Sequence, residues 1–273
     1  MHRYFPAPPV SLVHFGIFTV HFYALAILLG ICAALWLGRR RYKLAGGNSD
    51  DITDVAIWTI PAGIVGGRLY HVITSPDAYF GSSGHPIDAF KIWQGGMGIW
   101  GAVAAGVGVS YLVFKKSSRS LSFGRFADAL APALLLAQAI GRWGNWFNNE
   151  LFGKPTNLPW GLEVPLEFRP AGFENYQTFH PTFLYESLWC LLGVIAILAI
   201  PRLNLLKPGK LFTGYIAFYC LGRLGCESLR IDQAHLIGGV RINIWVSLLG
   251  LCISTFFLLK SPNFREKSRG KAR

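Results

Sequence analysis

Residues 12–38, LVHFGIFTVHFYALAILLGICAALWLG, contain no Asp, Glu, Lys or Arg in 27 positions, and Arg39, Arg40, Arg41 and Lys43 follow at once. A helix rises ~1.5 Å per residue and the hydrocarbon core of a bilayer is ~30 Å thick, so about 20 such residues cross it. The stretch therefore predicts a membrane-spanning helix. It does not read as a cleaved signal peptide, because the basic cluster follows the apolar run and no A-x-A site comes after it.

Six further apolar stretches of spanning length follow, at about 55–75, 92–114, 126–146, 183–200, 211–229 and 242–259. The whole 273-residue chain shares this character, with 52% of residues from the set AVILMFWYC, 15% charged and a mean hydropathy of +0.38. Soluble domains carry roughly 25% charged residues. Few charges and 14% aromatics exclude a disordered chain. The expected fold class is all-α: a polytopic integral membrane protein with about seven transmembrane helices, residues 1–273 forming a single transmembrane domain. The five cysteines (Cys32, Cys190, Cys220, Cys226, Cys252) lie in apolar stretches without metal-ligand spacing and read as small buried hydrophobes, so no metal is expected.

The net charge is +12, which in a soluble protein would suggest nucleic acid. Here the basic residues sit between apolar runs and report topology instead, so no nucleic-acid partner is expected. With the N-terminus outside, the inner connections 39–54, 115–125, 201–210 and 260–273 hold 17 Lys and Arg residues. The outer ones hold six: Arg3, Lys91, Lys154, Arg169, Arg230 and Arg241. The positive-inside rule then places the C-terminus in the cytoplasm. Residues 261–273 are expected to be a solvated cytoplasmic basic tail able to touch anionic lipid. The longest outer connection, 147–182, is rich in Pro, Gly and aromatics and is expected to fold as a small extracytoplasmic head.

Three arginines fall inside the apolar stretches: Arg68, Arg142 and Arg223. Each costs roughly 2.5–3.5 kcal/mol to insert, and the expected topology puts all three in the outer half of the bilayer. Tyr219, Arg223, Glu227 and Arg230 recur at i, i+4, i+8 and i+11, one face of a helix. Arg142, Asn145 and Asn149 form a second stripe, to which Asp128 belongs four turns earlier. Gly141 and Gly144 thin that helix for a close neighbour or ligand. Gln94, His180, Tyr185 and Glu186 reach the same layer, and His21 and Tyr23 lie nearer the midplane. Guanidiniums bind phosphate through a planar fork and do not lose their charge, so this layer suits a phospholipid headgroup. The G-x-G-x-x-G at 96–101 follows no strand and reads as helix-packing glycines, with Gly98, Ala102 and Gly106 forming a small-residue ridge.

Residues 141–153, GRWGNWFNNELFG, closely resemble the signature G-R-x-G-N-F-x-N-x-E-x-x-G of bacterial prolipoprotein diacylglyceryl transferases, with Trp146 in place of Phe. Gly66-Gly67-Arg68, Gln94-Gly95-Gly96-Met97, the 180–186 stretch HPTFLYE and the Tyr219–Arg230 stripe extend the resemblance, which runs from His21 to Asp232. It implies a multi-pass enzyme of the bacterial plasma membrane. It also implies transfer of a diacylglyceryl group from phosphatidylglycerol to the lipobox cysteine of lipoprotein precursors, with glycerol-1-phosphate leaving. Phosphatidylglycerol, lipobox-containing signal peptides and membrane lipid are the implied partners, and no cofactor is implied. By the same resemblance Arg142 contacts phosphatidylglycerol, Arg223 is the second essential arginine, and Tyr23, Asn145, Glu150, Gly153, Tyr219 and Glu227 match other functionally important positions. Arg68 is expected to be a supporting site or an ion-pair partner.

One departure affects mechanism. Many members of that family place a His where this chain has Trp100, which has no basic atom. His21 is then the leading candidate to take the proton of the acceptor thiol, with His180 and Glu150 behind it. Direct stabilisation of the thiolate by the arginines is the alternative that needs no base. A lipid or anion transporter would show inverted repeats or paired broken helices, and none is evident in the sequence. A receptor or scaffold would not require three intramembrane arginines.

Overall fold

The computed structural model describes residues 4–16, 18–82, 84–92, 95–116, 121–200 and 206–260. Gln94 and the basic tail 261–273 lie outside the described residues. The described residues are mostly helical. Seven helices of 17 residues or more overlap the seven apolar stretches: α1 (Phe22–Leu44), α2 (Asp50–Thr74), α4 (Ile99–Lys116), α5 (Phe123–Phe147), α6 (Thr182–Leu198), α7 (Lys210–Leu229) and α8 (Ile242–Lys260), with the short α3 (Asp77–Phe80) between the second and third stretches. Three of them, α1, α5 and α8, are long and apolar enough to cross a membrane, and α6 is a shorter apolar helix. Polar residues explain part of the difference: α2 carries Asp50, Asp51, Asp54 and Arg68, and α7 carries Lys210, Arg223 and Glu227.

The first stretch departs from expectation. Residues 12–15 and 18–21 are strands and not helix: β1 (Leu12–Phe15) and β2 (Phe18–His21) pair antiparallel, Leu12 opposite His21. The run is rich in β-branched and aromatic residues, and Gly16 takes φ +60°, a conformation that side chains disfavour. Helix α1 therefore starts at Phe22 and runs on to Leu44, carrying Arg41 and Lys43 in its last turn, where cations complement the helix dipole.

The chain divides into two compact units, residues 39–126 and residues 1–38 with 127–273. In the first, α2 and α4 pack through small residues. A Cβ on Gly101 would lie 2.2 Å from the Gly66 carbonyl oxygen, and one on Gly98 would lie 2.2 Å from the Tyr70 ring, so bulk at either position would part the helices. In the second, α5 meets α7 through a carboxylate. Asp128, fully buried, accepts hydrogen bonds from the backbone N–H groups of Gly209 and Phe212 at 2.9 Å each, capping the start of α7. Lys210 in turn donates to the carbonyls of Phe257 and Leu258 at 2.6 and 2.9 Å, satisfying the end of α8.

Between α5 and α6 the chain forms a small module of its own. Strands β3 (Leu162–Glu163) and β4 (Thr178–Phe179) pair antiparallel over a core of Phe152, Leu162, Val164, Phe179 and Phe183, closed by Phe5 and Trp146. A second short hairpin, β5 (Leu236–Ile237) with β6 (Val240–Arg241), joins α7 to α8.

Candidate functional site

Helices α5, α6 and α7 bring two of the three arginines of the apolar stretches onto one carboxylate. Glu186 opens α6 with its side chain 6% exposed. One of its oxygens pairs with Arg142 of α5 at 2.7 Å, and the other with Arg223 of α7 at 2.9 Å. The other side of the Arg223 fork pairs with Glu227 at 2.6 Å, one helical turn on along α7. The ion-pair chain then continues outward: Glu227 meets Arg230 at 3.7 Å and Arg241 at 2.7 Å, and both of these arginines hold Asp232. Four guanidiniums thus stand against three carboxylates in direct contact. Burial opposes the charge on Asp232, but hydrogen bonds and charge from Arg230 and Arg241 outweigh it and hold that carboxyl below the usual range.

Arg142 has the most exposed side chain among the ion-paired arginines of the cluster, at 19%, and only one carboxylate pairs with it. Its remaining contacts are long: 3.5 Å to the Tyr219 hydroxyl and 3.5 Å to the Asn145 side-chain oxygen. Asn145 donates in turn to Glu150 at 2.8 Å. Asn149 and Leu151, on either side of Glu150, both take left-handed backbone with φ of 50° and 60°. That strain costs on the order of 1 kcal/mol or more per residue, and it turns the Glu150 side chain toward Asn145 and Asn148. The Tyr23 ring lies over Gly144, where an added Cβ would come within 2.7 Å of it, near enough to Arg142 and Glu150 to feel both charges. The glycine that thins α5 therefore admits a neighbouring helix. Gly153 is also a close-approach position: its N–H donates to the His180 carbonyl at 2.9 Å, and a Cβ there would meet His180 and the Leu229 carbonyl.

An apolar groove of about 400 Å³ runs along the same helices. Phe22, Leu25 and Leu29 of α1 face Ala139 and Trp143 of α5 and Leu191 of α6 across it. Its lining residues Trp143 and Ser187 are the chain neighbours of Arg142 and Glu186, so the groove and the charged cluster draw on the same stretches of α5 and α6.

The expected site residues separate into three groups. Arg142, Arg223, Tyr219, Asn145, Glu150, Tyr23 and Glu227 share one region, but Glu227 is fully buried and engaged by arginines, which makes it a counter-ion. Arg68, in the other unit, has all five donors engaged by loop carbonyls. Nε bonds Ala89 at 2.8 Å, one terminal nitrogen bonds Gly95 and Gly96, and the other bonds Asp88 and Lys91. Its carbon lies 5.2 Å from the centre of the Tyr79 ring. Arg68 clamps the 88–96 loop. His21 ends β2, exposed, and among the described residues no hydrogen bond or ion pair ties it to the arginines. It is therefore not part of an apolar helix as the sequence implied. Burial, helped by the Lys154 ammonium, pushes the His180 imidazole below its usual range. The Tyr185 oxygen accepts from Trp160 at 3.0 Å and stands 3.1 Å from His180 Nδ1, within hydrogen-bond reach. Glu186 as the shared counter-ion, and Arg241, Asp232 and Asn243 as its outer supports, did not emerge as site residues from the sequence. Glu186 stood in the right polar layer, and its pairing was the missing fact.

The prolipoprotein diacylglyceryl transferase family model matches residues 10–260. The chain is 50% identical over 246 residues to phosphatidylglycerol–prolipoprotein diacylglyceryl transferase 2 of Streptomyces coelicolor, spanning 90% of this chain and 77% of that protein. It is 50% identical over 238 residues to the phosphatidylglycerol–prolipoprotein diacylglyceryl transferase of Cutibacterium acnes, spanning 87% and 80%. The corresponding protein of Paenarthrobacter aurescens is 46% identical over 280 residues, spanning 98% and 87%.

Proposed function

Because the chain belongs to the prolipoprotein diacylglyceryl transferase family, we propose that Arg142 and Arg223, joined through Glu186, receive the phosphate of phosphatidylglycerol and hold the charge that develops as it leaves. The enzyme is a transferase that moves the diacylglyceryl group from phosphatidylglycerol to prolipoprotein, the first step of lipoprotein modification. The acceptor is the lipobox cysteine. Its sulfur forms a bond to the terminal glyceryl carbon, the carbon–oxygen bond to phosphate breaks, and the electron pair departs on glycerol-1-phosphate. The phosphodiester carries one negative charge and the departing monoester approaches two, so guanidiniums fixed in advance stabilise the transition state more than the bound lipid. The thiol ordinarily ionises near pH 8.5, and the same arginine layer favours its thiolate.

The observation that carries this reading is the single carboxylate shared by the two forks. It holds both guanidiniums in place and leaves Arg142 partly exposed, and an apolar groove lined by the chain neighbours of Arg142 and Glu186 suits an acyl chain. The topology proposed with it has seven spans, residues 147–182 as an extracytoplasmic head, the N-terminus outside and residues 261–273 in the cytoplasm. The 17-to-6 distribution of basic residues supports it. His21 stays a candidate base through its nearness to Tyr23 in the chain.

The test uses purified enzyme, phosphatidylglycerol labelled in the diacylglyceryl group and a lipobox peptide. Label on the peptide cysteine, lost when that cysteine is serine, is the expected result. Label that only changes leaflet in vesicles would make the protein a lipid transporter. A cytoplasm-dependent reporter fused after Arg273 should be active, and a silent one would overturn the topology.

A further inference from the structure

Arg241 is one of the six basic residues of the expected outer connections; its side chain is only 14% exposed and every part of its fork is engaged. It ends β6, one residue before α8. Its Nε donates to Glu227 Oε1 at 2.7 Å, one terminal nitrogen to the Asp232 carbonyl at 2.6 Å, and the other to the Asp232 carboxylate at 3.0 Å. Asn243, in the first turn of α8, donates to the same Glu227 oxygen at 3.1 Å. Two groups from the start of α8 therefore fix one oxygen of Glu227. The other oxygen ion-pairs with Arg223 at 2.6 Å, with Arg230 farther off at 3.7 Å. The hairpin holding Arg241 is itself tied down, since the Ile242 N–H donates to the His235 carbonyl at 3.0 Å and the Trp245 ring N–H to the Ile237 carbonyl at 3.1 Å.

We propose that Arg241 is a positioning residue, supported by Asn243, which acts through Glu227 to fix the angle of the Arg223 guanidinium toward the substrate phosphate. The inference rests on the reading of Arg223 as a phosphate ligand. A carboxylate gripped at one oxygen cannot rotate about its terminal bond, so the remaining oxygen presents one direction to its partner. Arg223 lies between this fixed carboxylate and Glu186 and keeps one orientation while charge grows on the leaving phosphate. Without Arg241, Glu227 turns, Arg223 follows it, and the stabilisation that peaks in the transition state is the part lost.

A double-mutant cycle tests this on the full-length enzyme in lipid nanodiscs, with labelled phosphatidylglycerol and a lipobox peptide. Arg223→Lys should leave about 1% of turnover, a level the label can read. Arg241→Gln should lower kcat about tenfold in the parent and less than twofold in the Arg223→Lys background. A merely structural loss would reduce both backgrounds by the same factor, and that result overturns the proposal. Asn243→Ala keeps every charge and removes one hydrogen bond donated by an uncharged side chain. It should show the same non-additive pattern with about a threefold loss, and it carries the test if Arg241→Gln does not fold. Parent-like kcat in both variants also overturns the positioning role. If Arg223→Lys itself turns over normally, the phosphate reading of Arg223 has failed first. If Arg223→Lys is crippled while both α8-side variants behave as the parent, only the role of Arg241 falls.

Discussion

Replacing Glu186 by Gln removes one charge and almost no volume, so it isolates what the shared carboxylate does. The side chain is 6% exposed and meets Arg142 at 2.7 Å and Arg223 at 2.9 Å. An amide keeps one acceptor oxygen and puts an NH₂ group where the second oxygen was, so it faces one guanidinium donor-to-donor and that arginine must swing away. Breaking a buried ion pair from one side costs about 3–5 kcal/mol of stability, because uncompensated charge stays behind. The activity cost has a different form. Losing one preorganised donor from a charge-stabilising array costs roughly 10²–10³ in kcat. Removing a negative charge beside an anion site strengthens ground-state attraction for phosphate, so KM for phosphatidylglycerol should stay level or fall. The expected signature of Glu186→Gln is thus a lower melting temperature, a kcat reduced about 100-fold per folded enzyme, and no rise in KM. Steady-state labelling in nanodiscs, normalised to the monodisperse fraction, measures all three. A kcat within threefold of the parent would show that the carboxylate does not hold the forks. A tenfold rise in KM at unchanged kcat would make Glu186 a direct ligand of the lipid instead.

Arg142→Lys and Arg223→Lys keep charge but lose the planar fork, and each should lower kcat about 100-fold in the labelling assay while folding normally; near-parent turnover would show that charge alone suffices. Arg68→Lys exchanges five aligned donors for three on a flexible stem, so thermal unfolding should show a loss of about 2–4 kcal/mol, with turnover at low temperature changing less than for either of the other two arginines. If His21 removes the thiol proton, His21→Gln should depress turnover strongly near neutral pH and recover toward pH ~8.5, where the thiol ionises unaided; a small effect at every pH removes it from the mechanism. Asp232, held below the usual carboxylate range, contributes its full stability above about pH 4 and loses it as pH falls through its lowered folded value, so Asp232→Asn should flatten the acid side of the stability profile and leave the slope between pH 5 and 8 unchanged.

What the sequence revealed and what it hid follow from how far apart the partners lie. The α7 stripe was legible because a helical period is local: Arg223 and Glu227 are four residues apart, and they form the ion pair that their spacing implies. Asp128 and Arg142 share a helix face but serve opposite ends of α5. That division appears only when Gly209 and Phe212, some eighty residues downstream, bring their N–H groups to Asp128. Arg68 looked like Arg142 as an arginine in an apolar run. Its partners are backbone carbonyls of a loop, and carbonyls leave no mark in a sequence. The hairpin at 12–21 was hidden by the property that made the stretch persuasive, since an uncharged run reads as a span whether it coils or pairs. Only its β-branched content and the central Gly16 distinguish the two.

The same reasoning shows why the cluster could not have been assembled from its arginines alone. An arginine in an apolar layer requires compensating partners close at hand, because desolvation otherwise makes its position untenable. The sequence gives neither their kind nor their address: Arg68 is met by carbonyls, one partner of Arg223 is 37 residues away in Glu186, and one partner of Glu227 is 14 residues away in Arg241. A site for an anion adds a second condition. If every guanidinium were fully matched by carboxylates, phosphate would be repelled. If none were, the forks would have no fixed direction. Four arginines directly facing three carboxylates satisfy both conditions, and the least matched of them is Arg142, with one carboxylate partner. The pairing order from Asp232 runs through the fully buried Glu227 to Arg223 and Glu186 and ends at Arg142, the arginine with a single carboxylate partner.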